Sequence, residues 1–128
     1  MTKLFPIFIV MIAALLNASC GFRKEVQKTR EMRIEDIDLS KIKDGVYQGS
    51  YSYVDAEFLV EVSVKDHRIE KIDIIEAFTG TPYAVKARAV VDTVVAHQSL
   101  NVDVITGATT TSKAYLKCIE NALKEGMK

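Results

Sequence analysis

The 128-residue chain carries no net charge, only two cysteines, no internal repeat, no low-complexity tract and no apolar run long enough to span a bilayer. Seventeen basic residues balance seventeen acidic ones. That balance excludes the broad positive surface a phosphate backbone demands, so no nucleic-acid partner is expected. Two cysteines allow at most one disulfide. There is no Cys-x-x-Cys pair and no His-Glu-x-x-His, so the chain offers no metal-ligand cluster of its own. The length suits one domain rather than two.

The longest apolar stretch runs from Leu4 to Leu16, 13 residues, behind the positive Lys3. A spanning helix needs about 20. Thirteen is the size of a signal-peptide core, and the small residues Ala18 and Ser19 follow it. Cys20 comes next. "LNASC" resembles a bacterial lipobox, which implies removal of residues 1–19 and acylation of Cys20; the other reading is an ordinary cleaved signal, or an uncleaved anchor, with an incidental cysteine. One departure is Asn17, which stands where lipoboxes usually have Leu; Leu16 lies one place earlier. Acylation accounts for a lone thiol at the start of an exported chain. Cleavage leaves sixteen basic and seventeen acidic residues, a formal charge of −1. The expected address is therefore the extracytoplasmic side of a cell membrane or outer membrane. Cys118, inside a helical pattern, reads as a small buried residue.

Residues 20–41 read as a lipid-anchored charged linker. Eleven of the 21 residues from 21 to 41 are charged, with both signs mixed, a composition that stays soluble without packing. A loose periodicity of Val26, Met32, Ile34 and Ile37 also permits partial helix, and Phe22, Arg23 and Lys24 suit an interface beside anionic lipid.

The domain is expected over residues 42–128, opening at the turn dipeptide Asp44-Gly45. Residues 46–53 are rich in β-formers, with Gly49 as a weak or bulged point. Phe58, Val60, Val62 and Val64 alternate along the next strand. Asp66-His67 predicts a tight turn, and a third strand follows with Ile72 and Ile74 inward. Thr81 and Pro82 open a helix whose apolar stripe is Ala84, Ala87, Val91, Val94 and Val95. Residues 101–105 read as a short strand. The last helix buries Tyr115, Cys118, Ile119 and Ala122, widened by Leu116 and Leu123. The expected class is α+β: a small antiparallel β-sheet meander with two main helices packed on it.

Between the last strand and the last helix lies "DVITGATTTS", residues 103–112. A helix N-terminus leaves backbone N–H groups unpaired and is positive, so it stabilises an anionic phosphate. Gly107 and Ala108 keep bulk away from that backbone. The hydroxyls of Thr106, Thr109, Thr110, Thr111 and Ser112 have two readings: helix caps, or partners of a phosphate. Local physics selects no particular phosphate.

The stretch resembles the flavinylation motif of the FMN-binding domain family, which includes the C and G subunits of sodium-pumping NADH:quinone oxidoreductase and Rnf-type complexes. The pattern is Asp, two residues, Ser or Thr, Gly-Ala-Thr, one residue, then Thr-Ser. Asp103, Thr106, Gly107, Ala108, Thr109, Thr111 and Ser112 fill it. "DGVYQGSY", "VEVSVKDHRIEKIDI" and "HQSLNVDVITGAT" extend the resemblance over about 42–125. It implies covalent FMN on Thr109 through a phosphodiester, made by a separate FAD- and Mg²⁺-dependent flavin transferase. Thr110 takes the variable place, Thr111 and Ser112 complete the helix start, and Asp103 serves recognition or structure; read by itself, Asp103 is a solvated acid at a strand edge. Two departures stand out. His67 replaces a frequent Gly, and Thr81-Pro82 continues as Tyr83-Ala84-Val85 in place of a Gly-rich loop, with Tyr83 available to the flavin ring.

The implied protein is a lipid-anchored, covalent flavoprotein passing electrons between partner proteins, a carrier rather than a stand-alone enzyme. Two other readings stand beside it: a non-redox binding or assembly lipoprotein of the same fold, and an accessory subunit of a membrane electron-transport complex.

Overall fold

The computed structural model describes residues 21–128; the leader and Cys20 lie outside the described residues. Three strands, β1 (Gly45–Tyr53), β2 (Ala56–Lys65) and β3 (Arg68–Glu76), form an antiparallel sheet in sequence order. The alternation in β2 is used as written: Phe58, Val60, Val62 and Val64 are all buried on one face. Asp66 and His67 take positive φ, 52° and 61°, as a two-residue hairpin turn with right-handed twist requires. Asp44 Oδ1 accepts the Asp66 N–H at 2.9 Å and pins that turn.

β3 departs from simple alternation. Ile69 and Ile72 are three residues apart, so an unbroken strand would point them to opposite faces. A register shift opposite Ser63 and Val64 pairs Ile69 with Val64 and Ile72 with Val62. Ile69 thereby joins Ile72 and Ile74 in the core, an inward residue that alternation alone does not reveal.

Three helices follow in the chain's second half. The expected single helix after Thr81 is two: α2 (Pro82–Lys86) and α3 (Ala89–His97). Thr81 caps α2, its Oγ1 accepting the Ala84 N–H at 3.1 Å. The chain then tightens to three-residue hydrogen bonds, Val90 N–H to Ala87 O and Val91 N–H to Arg88 O. No glycine or proline marks the break; Ala87, fully buried, packs at the joint. Gln98 ends α3 in the left-handed conformation, and its amide clamps Ile69, accepting the N–H at 2.7 Å and donating to the C=O at 2.9 Å.

Residues 101–105 form no strand. Strand propensity depends on context, and this stretch pairs with neither outer strand of the sheet; it is held instead by its ends. Asn101 N–H donates to Ser99 Oγ and Ile105 N–H to Ser112 Oγ.

α4 (Thr109–Glu125) lies across β1 and β2. Its expected stripe is buried in full, Tyr115 through Leu123. Gly49 is not a bulge, since β1 and β2 pair without a break through Gly49 and Val60. A Cβ there would run into the Cys118 carbonyl oxygen and lie 2.5 Å from the Ala122 nitrogen. Glycine lets the helix backbone rest directly on the strand. Tyr115 meets the Phe58 ring edge-on at 5.3 Å, and Tyr53 stacks on that ring at 5.8 Å. Cys118 is fully buried, its thiol 3.6 Å from Phe58 O, and burial pushes its pKa up from 9.0 to about 12. It is a packing residue, not a thiolate.

The charged stretch ahead of residue 42 differs from the expected solvated linker. Residues 21–31 are helical (α1), and the chain beyond packs along α4. Thr29 is buried, with its hydroxyl 2.8 Å from the Tyr51 hydroxyl. Glu25 accepts the Val54 N–H, and Met32 O accepts Lys113 Nζ. Glu35 N–H donates to the buried carboxylate of Glu120, which also pairs with Lys117. Asp36 accepts from Ser99 Oγ and Leu100 N–H, while Ile37 and Ile42 enter the core. The stretch packs because its few apolar residues meet a groove and its charges find partners, neither of which composition reports.

Candidate functional site at the start of α4

The site is built from a turn and a helix end. Ile105 O accepts the Ala108 N–H at 2.9 Å, closing a four-residue turn whose third residue, Gly107, has φ +82°. That φ is the reason for glycine at this place. The ring of Tyr83 lies alongside: a Cβ on Gly107 would touch its carbons at 3.4 and 3.5 Å.

α4 begins directly after this turn. Ala108 is the N-cap residue and no side chain caps the helix. The first helical hydrogen bond is Ser112 N–H to Ala108 O, at 2.9 Å. The N–H groups of Thr109, Thr110 and Thr111 therefore precede the helical ladder. This corrects the capping reading of the threonines, because none of their hydroxyls caps. Ser112 is fully buried and its Oγ accepts the Ile105 N–H at 3.1 Å, so it fixes the turn from beneath.

Two clefts meet here. One, of about 350 Å³, lies between Thr81, Tyr83 and Ala84 on one side and Gly107 to Thr111 on the other, with Arg30 of α1 as its charged wall. The second, of about 410 Å³, is apolar, with Phe22, Val26, Tyr53, Val54 and Phe78 around it. Thr110 borders both. Uncapped N–H groups, the positive end of a 17-residue helix and a guanidinium make the first cleft a place for a phosphate-type anion.

Of the motif residues, the fold brings Gly107, Ala108, Thr109 and Thr111 to the cleft wall together with Thr110. Thr109 is half-buried. Thr106 is exposed on the turn, and Asp103 is exposed in the unpaired stretch before it; neither borders the cleft. Arg30 escaped sequence reasoning because it sits far upstream in a run of alternating charges. The one available signal was Phe22 and Val26 at helical spacing, four residues apart, with Thr29 and Arg30 one turn on.

The sequence model of the FMN-binding domain family matches residues 54–124, more than half of the chain and all of the 103–112 motif. The chain belongs to the FMN-binding domain family. It is also 29% identical over 104 residues to an uncharacterized protein of Treponema pallidum (strain Nichols), covering 80% of this chain and 29% of that relative. The chain thus spans less than a third of the relative's length. Binding of FMN fits the chemistry on the wall: a polar, cationic, uncapped helix end beside an apolar cleft matches a ligand that is anionic at one end and an aromatic ring at the other. The family match begins at the hairpin between β1 and β2, so α1 with Arg30 lies outside it.

Proposed function

We propose that this FMN-binding domain carries its flavin covalently on Thr109 and passes electrons at the cell envelope, held there by a lipid on Cys20. The observation that carries the reading is the bare start of α4: three threonines whose hydroxyls cap nothing, with Thr109 on the wall of a cleft that also holds Arg30. A helix needing only a cap would use one hydroxyl and close itself.

The attachment balances as a phosphoryl transfer. Within the flavin transferase, Thr109 Oγ1 attacks the FMN-side phosphorus of FAD, the P–O–P bridge breaks, AMP leaves, and the hydroxyl proton passes to the transferase or solvent. The resulting phosphodiester bears one negative charge. The N–H groups of Thr109 to Thr111 and the Arg30 guanidinium are the chain's means of holding it. Gly107 supplies the positive φ of the turn, and the Tyr83 ring lies alongside it. FMN, once bound, supplies the electron-transfer chemistry, while the protein supplies position and environment. A covalent link suits an extracytoplasmic carrier because no dissociation equilibrium depletes it. Its electron partners are a donor in or at the membrane and a reductase or extracellular oxidant.

Protein purified from its native host should show one FMN phosphodiester adduct by intact mass, and visible flavin absorbance that survives denaturation. Thr109→Ala should abolish both, and Thr110→Ala should keep the adduct. Unmodified protein from cells that contain the transferase would sink the proposal.

A further inference from the structure

We propose that α1 forms one wall of the flavin-ring site: the isoalloxazine, carried from Thr109, occupies the apolar cleft beside Thr110 and is covered by Phe22 and Val26. The proposal rests on the covalent reading above.

Four observations lead there. The apolar cleft and the anion-suited one share Thr110 as a wall residue, and Thr110 is the chain neighbour of the proposed attachment residue Thr109. The cleft is lined by aromatic and aliphatic groups that the fold leaves uncovered: Phe22 is 55% exposed and Phe78 40%. Exposed aromatic faces turned toward one cleft mark a binding surface rather than a core. Val54 lines the cleft in the left-handed region, φ 53°, where a β-branched residue is strained, and the Glu25 carboxylate of α1 holds its N–H at 3.0 Å. Finally, α1 is lightly attached. Thr29 is its sole buried residue and Val26 is half-buried, while the rest of 21–31 is exposed. A helix attached so lightly gains much of its order from whatever fills the cleft beside it.

The consequence is a linkage between cofactor and anchor-side helix. Loading the cleft should order residues 21–31, and disrupting the apolar face of α1 should free the ring without detaching the cofactor.

Amide hydrogen exchange of the mature wild-type protein, made with and without the transferase, tests this directly. Exchange in residues 21–31 should slow by at least about tenfold on loading, while residues 112–125 of α4 stay unchanged. Equal exchange of 21–31 in the two forms overturns the wall. A second arm uses loaded Val26→Asp. The mass adduct should persist, flavin fluorescence anisotropy should fall, and iodide quenching should rise at least about threefold as the ring leaves the cleft. An adduct with unchanged anisotropy and quenching removes the ring from this cleft but leaves covalent attachment standing. A wild-type chain with no adduct removes both. Protection of 21–31 by anionic lipid vesicles, with none by flavin loading, makes a lipid surface the occupant and likewise overturns the proposal.

Discussion

The two ends of this domain are finished differently. At one end, where α4 stops and β1 begins, polar groups are paired: Gln98 clamps both backbone groups of Ile69, Asp36 takes Ser99 and Leu100, and Glu120 takes Glu35 N–H and Lys117. At the other, α4 starts without a cap, Tyr83, Phe22 and Phe78 are exposed, and two clefts meet at Thr110. The first end is closed as folding stability requires, while the second leaves donors and apolar surface unsatisfied. A helix that could have been capped by any of three threonines is not. On the proposed function, stability and binding fall to opposite ends of one helix, so they should be separable by mutation.

The most severe test lies under the closed half of α4. Gly49→Ala places a methyl group against the Cys118 and Ala122 backbones and should cost about 3 kcal/mol or more, read as a lowered urea midpoint. An unchanged midpoint would mean that α4 does not rest on β1 as described.

Glu120→Ala comes next. Glu120 is 1% exposed, and its loss leaves Glu35 N–H and Lys117 without their partner. The expected loss is about 3 kcal/mol, with the Thr109 adduct still formed in cells that have the transferase. Equal damage to stability and flavin loading would break the separation of the two ends.

The smallest effect is the most diagnostic. Thr109→Ala in the unloaded protein should change stability by less than about 0.5 kcal/mol, because its hydroxyl caps nothing. A loss near 1 kcal/mol in urea unfolding would instead mark it as a cap.

Much of the fold could be read directly. β2 buries one face, so its alternation is visible, and α4 buries one stripe, so Tyr115, Cys118, Ile119 and Ala122 announce themselves. Asp66-His67 was legible as a turn, and Gly107 was legible as part of the turn before α4, where it takes a positive φ. Other features were illegible for specific reasons. Ile69 enters the core through a register shift that no period contains. Residues 101–105 have strand composition but pair with neither edge of the sheet, a tertiary outcome that composition does not report. Gly49 looked like a weakness in a strand, and its use appears only once α4 lies on it.

The candidate site divides the same way. The sequence by itself determined the motif and the order of elements that puts a glycine turn before a helix, because these depend on residues adjacent in the chain. Only the tertiary structure decided that the threonines stand uncapped, that Tyr83 lies beside Gly107, and that Arg30, Phe22 and Val26 form walls of the two clefts. Those depend on contacts between segments far apart in sequence, and such contacts are set by how the apolar faces of the sheet and helices close over one another, which no local pattern of residues encodes.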